Sequence, residues 1–146
     1  MKVEDILRRK PHRIAMVRVQ ETVETAAKLL KAENIGALVV KDVCRTEGNT
    51  VVGMFSERDI ARALLEHGPK VMQMPVASLM SRNLITCTPQ DSEQHVLSLM
   101  NQHHIRHIPV LDGFTLVGLV SVRVFIGIRL SEIEEQEKAY SPVLAH

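Results

Sequence analysis

The sequence predicts an α/β fold made of two copies of one β-α-β-β-α unit, followed by a helical tail. Three observations predict it. An internal repeat runs through most of the chain, and short β-branched apolar runs alternate with segments of helical period. The length of 146 residues suits one domain, or two small units that stand only by sharing their interiors.

The repeat is read by setting Ile14 against Leu84. Ala26 then meets Val96, Leu29 meets Leu99, Leu30 meets Met100, Ile35 meets Ile105 and Val40 meets Val110, all at one offset. Farther on, Val52-Gly53-Met54-Phe55-Ser56 matches Val117-Gly118-Leu119-Val120-Ser121 at a shorter offset. The change arises because the polar stretch from Val43 to Thr50 outruns its counterpart Asp112-Gly113-Phe114-Thr115. Upstream, Val3-Glu4-Asp5-Ile6-Leu7 pairs with Val76-Ala77-Ser78-Leu79-Met80.

In the first copy, Ile14 to Val19 reads as a strand, and Thr22 caps a helix whose apolar face is Val23, Ala26, Ala27 and Leu30. Ile35 to Val40 and Val51 to Phe55 are strands separated by a turn-rich loop. Ser56 opens a helix with Ile60, Ala61, Leu64 and Leu65 as its expected apolar face, and Gly68-Pro69 stops it. The second copy repeats the order: Leu84 to Thr88 as strand, Ser92 as cap, Val96, Leu99 and Met100 on a helix face, then strands Ile105 to Val110 and Leu116 to Val120. A last helix begins near Val122, and Met72 to Ser81, containing Pro75, is the connector. The expected division is residues 1–70, 71–130 and a charged helical tail 131–146, in which Ser131 and Glu134 have capping-box spacing. Glu132, Glu134, Glu135, Glu137 and Lys138 of that tail are expected to be solvated.

Composition bounds the function. With 45% hydrophobic and only 3% aromatic residues the core must be aliphatic. A formal charge of +1 offers no electrostatic footprint for nucleic acid. The two cysteines, Cys44 and Cys87, make no disulfide framework and suit a reducing cytosol. Neither a signal peptide nor a membrane span is read from the chain, so the expectation is a cytoplasmic protein away from membranes.

The sharpest local signal is Gly53-Met54-Phe55-Ser56-Glu57-Arg58-Asp59, where a strand ends on a hydroxyl that opens a helix with a carboxylate three residues on. Amides at a helix start bind anions, and an Asp one turn in can accept hydrogen bonds from the two hydroxyls of a ribose. The plainer alternative is a capping box in which Ser56 and Asp59 merely satisfy each other. A second signal is His103-His104-Ile105-Arg106-His107, whose Arg106 and His107 fall where the first copy has Gly36 and Ala37. An Arg fork suits phosphate oxygens, and a His near its usual pKa adds partial charge. Zinc at His103 and His107 is disfavoured, because their spacing serves a metal only on a continuous helix and Pro109 opposes one. His95 and His103 read as packing or surface residues, and no nucleophile elbow, P-loop or dinucleotide fingerprint points to an enzyme.

These residues resemble a tandem pair of cystathionine-β-synthase (CBS) domains, or Bateman module, of the stand-alone bacterial kind. The resemblance spans about residues 1 to 130 and rests on Asn34-Ile35-Gly36-Ala37-Leu38-Val39-Val40 before the Ser56–Asp59 motif, and on Ile105-Arg106-His107-Ile108-Pro109-Val110 before Gly118-Leu119-Val120-Ser121. It implies two repeats packed about a pseudo-two-fold axis, clefts between them that take AMP, ADP, ATP, NAD-type dinucleotides or S-adenosylmethionine, and a homodimer of stacked pairs acting on a downstream protein. By position, the resemblance gives Ser56 to phosphate, Asp59 to ribose and Arg58 to a neighbouring phosphate. Arg106 and His107 would approach from the other repeat. Main-chain groups around Met16 and Ala37 would frame the base, with Thr86 and Thr88 doing so in the other cleft. The second copy keeps Ser121 and Arg123 but has Val124 where the ribose-binding acid is expected, so one competent site is anticipated. The rival reading is a structural or dimerisation module with degenerate clefts; no catalytic cofactor is expected under either.

Overall fold

The structure, a computed structural model, describes residues 1–9, 14–44 and 48–144. Its elements are α1 (Val3–Arg9), β1 (Met16–Arg18), α2 (Val23–Glu33), β2 (Ala37–Cys44), β3 (Gly48–Ser56), α3 (Glu57–His67), α4 (Glu93–His103), β4 (His107–Asp112), β5 (Thr115–Ser121) and α5 (Val122–Leu144). Two 3-10 turns, Gly68–Gln73 and Val76–Ser78, form the connector.

In the first half β2 is central, parallel to β1 and antiparallel to β3. The hairpin extends into the polar stretch expected to be loop, with Asp42 opposite Thr50, because ladder bonds satisfy backbone groups whatever the side chains are. Residues 45–47 of that stretch lie outside the described residues. In the second half only β4 and β5 pair as a ladder. The expected strand Leu84 to Thr88 is reduced to one bridge at Cys87, which donates to the Pro109 carbonyl and accepts from Leu111. The cause is Pro109: its counterpart Val39 donates to the Ala15 carbonyl at 3.2 Å, and proline has no N–H to repeat that bond.

The helix starts follow the sequence. Thr22 and Ser92 accept from the amides of Thr25 and His95, and both helices end on a left-handed residue, Asn34 and His104, at equivalent places. The α3 face differs from expectation. Ala63 is buried and Ile60 packs against the core, whereas Leu64 is exposed and Leu65 is 91% exposed. The helix turns its Ile60–Ala63 stripe inward, leaving the leucines outside.

Each interior is completed by the segment that precedes the other half. Val71, Val76 and Met80 of the connector join Val17, Leu38, Val40 and Phe55 in the first core. Val3 and Ile6 of α1 join Val96, Ile108, Val110 and Phe125 in the second. Burying each such side chain contributes about 1.5–3 kcal/mol, so α1 is bound energetically to residues more than half the chain away. The backbone ties match: Val76 donates to Glu21 at 2.8 Å and Ala77 to Val19 at 3.0 Å, as Val3 does to Asp91 at 2.9 Å and Glu4 to Pro89 at 3.0 Å. Reciprocal exchange of this kind is what a pseudo-two-fold relation between the halves requires. The helix α5 continues without interruption through the tail, where Glu132 is not merely solvated but pairs with Arg129 and Arg9. Residues 145–146 of the expected tail lie outside the described residues.

Candidate functional site

A cleft of about 570 Å³ opens where the end of β3 meets the second half, within the range of about 300–1,000 Å³ typical of small-molecule sites. Its first wall is the start of β2 and the head of α3, with Gly36, Ala37, Ser56, Arg58 and Asp59. Its second wall is the crossing segment at Ser81, Asn83 and Ile85 and the passage from α4 into β4, with His103, His104, Arg106 and His107. Six of the residues singled out from sequence therefore meet in one cleft: Ala37, Ser56, Arg58, Asp59, Arg106 and His107.

Backbone pairing sets the walls. Ala37 stands opposite Ser56 and His107 opposite Ser121, and the helix that follows each hairpin donates back across it: Glu57 to the Gly36 carbonyl, Val122 to that of Arg106. The crossing segment is held against β3 by reciprocal bonds between Met54 and Ser81, at 3.1 and 2.9 Å. Gly53 permits that approach, since a Cβ there would lie 2.5 Å from the Ser81 carbonyl oxygen. Gly118, at the equivalent place, faces Leu7 of α1 in the same way.

Ser56 and Asp59 form the capping box. The Ser56 amide and hydroxyl both donate to Asp59 Oδ2, at 2.9 and 3.1 Å, and the Asp59 amide donates to Ser56 Oγ at 3.4 Å. Both residues are half-buried on the cleft wall, so the box presents a fixed hydroxyl and carboxylate there. Arg58 spans the cleft and donates to the His104 carbonyl at 3.3 Å. Burial, and then Arg106 and Arg123 beside it, lower the His107 pKa, so this imidazole is neutral at pH 7 and adds no charge of its own, contrary to expectation. It packs beside Gly36, where a Cβ would come to ordinary contact with its Cε1 at 3.5 Å.

Met16, Thr86, Thr88, Ser121 and Arg123 do not line this cleft. Met16 lies on β1 with its side chain partly exposed; Thr86 and Thr88 flank the Cys87 bridge, where the Thr88 amide donates to Asp91 at 2.7 Å. Ser121 and Arg123 sit at the head of α5, and there only half of a box forms, from the Val124 amide to Ser121 Oγ, because Val124 supplies no carboxylate. The His103–His107 pair does not share a helix face, since α4 ends at His103 and the chain turns left-handed at His104. Sequence reasoning missed Arg62 and Asn83 as lining residues; the signal for Arg62 was its placement one turn beyond Arg58 on α3.

Comparison with known proteins follows the same halves. The CBS domain model matches residues 3–66 and again 76–128. The CBS domain-containing protein YhcV of Bacillus subtilis is 36% identical over 75% of this chain and 74% of its own length. An L-aspartate semialdehyde sulfurtransferase of Methanocaldococcus jannaschii is 30% identical over 82% of this chain, which covers only 21% of that protein. Among solved structures, a CBS-domain containing protein from Agrobacterium tumefaciens superposes with a TM-score of 0.81 at 30% identity, covering 88% of this chain and 92% of that one. The CBS domain pair of protein MJ0100, in complex with 5′-methylthioadenosine and S-adenosyl-L-methionine, gives 0.75 at 26% identity, covering 90% and 98%.

Proposed function

This chain belongs to the CBS domain family, with two copies of the domain, and from that premise we propose that it is a non-catalytic regulatory module that holds an adenosine nucleotide in the cleft between them. The observation that carries the reading is the convergence of the Ser56–Asp59 box with Arg58, Arg106 and His107 around one space of nucleotide size. A carboxylate already oriented by its cap is ready to accept from ribose hydroxyls, and guanidiniums from both walls favour phosphate. The adenosine compounds bound by the domain pair of MJ0100 support the ligand class. AMP, ADP, ATP and NAD-type dinucleotides are the candidates, and Val124 in place of an acid argues for a single competent site.

Regulation needs a reader of the bound state, because a ligand shifts a packing equilibrium only by its unequal affinity for the two states. A homodimer of stacked pairs supplies one surface for this. Leu65 of α3 and Leu130 of α5 occupy equivalent positions, and both are exposed, as is Ile126. A downstream protein, of a kind the chain does not specify, is the other reader. No helix among the described residues is long and apolar enough to cross a membrane, and we place the protein in the cytoplasm.

The test is a thermal shift that grows with added AMP, ATP or NAD by mass action and is lost in Asp59→Ala. A protein that takes up none of them favours the rival reading of a dimerisation module with degenerate clefts, and an Asp59→Ala variant that binds as the wild type does contradicts the placement of the nucleotide at this box.

A further inference from the structure

We propose that the cleft selects an adenosine bearing two or more phosphates over a monophosphate, and that Arg62 is the residue that takes the terminal phosphate. The inference rests on the nucleotide reading of this site and extends it. Three guanidiniums, Arg58, Arg62 and Arg106, line the cleft, against the carboxylates of Glu57 and Asp59. Asp59 is committed through Oδ2 to the helix cap. Among the described residues none of the three arginines is in a salt bridge, whereas Arg8, Arg9 and Arg129 each pair with a carboxylate. A single exposed arginine without a partner is ordinary, because water solvates it well. Three that converge on one concave space with two carboxylates leave the lining cationic on balance, and among the described residues only the Arg58 guanidinium of the three has a hydrogen-bond partner, the His104 carbonyl.

Their arrangement sets the length of the anion. Arg58 and Arg62 are four residues apart on α3, hence on one face and separated by about 6 Å along the axis. Ser56 caps the same helix and lines the same cleft, with Arg106 on the opposite wall. One phosphate near Ser56 can be gripped by Arg58 and Arg106 in forked fashion, which leaves Arg62 a turn farther out with nothing to hold. A second or third phosphate extends along the face toward Arg62. The same charge repels a sulfonium, so S-adenosylmethionine is a poor ligand for this chain.

The test is isothermal titration of the full chain with AMP, ADP, ATP, S-adenosylmethionine and inorganic tripolyphosphate, without added divalent cation, for wild type, Arg62→Ala and Arg62→Lys. The expected result is ADP or ATP binding about tenfold or more tighter than AMP. That advantage should disappear in Arg62→Ala, persist in part in Arg62→Lys, and leave AMP affinity within about twofold. Equal affinity for AMP and ATP in wild type, loss of all nucleotides alike in Arg62→Ala, or S-adenosylmethionine binding as tightly as ATP overturns the proposal while leaving the nucleotide reading intact. Absence of binding by every nucleotide, or tripolyphosphate binding as well as ATP, overturns the nucleotide reading itself.

Discussion

Replacing Gly53 with alanine tests how the cleft is walled. The new Cβ would meet the Ser81 carbonyl oxygen at 2.5 Å and the Met80 sulfur at 3.2 Å. The methionine sulfur can swing aside, but the carbonyl is backbone, fixed by the two Met54–Ser81 hydrogen bonds. Relief requires the crossing segment to retreat by most of an ångström, weakening both bonds. Two net hydrogen bonds at about 1 kcal/mol each, with overpacking at about 1–3 kcal/mol, put the loss of stability at roughly 3–5 kcal/mol. The equivalent change at Gly118 meets only the Leu7 side-chain carbons, at 2.6 and 2.9 Å, and these can rotate away. Its cost should be about 1–2 kcal/mol, and Leu7→Ala should recover part of it. Urea denaturation measures both, with the midpoints compared at constant slope. Because Ser81, Asn83 and Ile85 line the cleft, Gly53→Ala should also weaken nucleotide binding while Gly118→Ala leaves it nearly unchanged. Equal destabilisation by the two substitutions, or a Gly53→Ala protein as stable as wild type, refutes the reasoning.

Other consequences concern titratable groups. The His107 pKa is lowered from its ordinary 6.5 in the folded protein, so the unfolded chain binds more protons and stability falls as the pH drops below that value. His107→Gln should flatten the stability profile in that acidic window, and an anion in the cleft should bind with proton uptake there; an unchanged profile contradicts this placement. Burial, helped by Asp91, pushes the Cys87 thiol up to about 12, so in a Cys44→Ser background a thiol reagent at pH 7 should modify it only after unfolding. Rapid labelling of the native protein would contradict its burial. Glu93, buried where the first half has Val23, is held by Arg129 at 2.7 Å. Arg129→Ala, which strands that carboxylate, should lower the melting temperature more than Glu93→Val, which restores the residue of the other half; the reverse order would show that the pair does not anchor α4 to α5.

Much of this was legible in the residues. An internal repeat, at one offset before the polar stretch and a shorter one after it, exposed the two halves, and Ser56 with Asp59 at cap spacing located the head of α3. Arg106 and His107, standing where the first half has Gly36 and Ala37, marked the facing wall, although only the arginine brings charge to it. The remainder was hidden for identifiable reasons. Pro109 removes a donor that only a neighbouring strand would have needed, so the thinning of the second sheet emerges from pairing rather than from local preference. The seating of α1 on the second core is a long-range exchange that the match of Val3–Leu7 to Val76–Met80 hinted at without saying which core each would fill. Leu64 and Leu65 look apolar in any window, and the rotation of α3 that exposes them follows from Ile60 and Ala63 packing inward. Glu93 is charged yet buried, which periodicity cannot anticipate until its partner on α5 is in place.

The central claim is that both halves grip one nucleotide, and hydrogen exchange at saturating ATP tests it most directly. Slowed exchange at Gly36–Ala37 and Ser56–Asp59 on one wall together with Asn83–Ile85 and Arg106–His107 on the other is the predicted result. Protection confined to one half, or none at all, would contradict it.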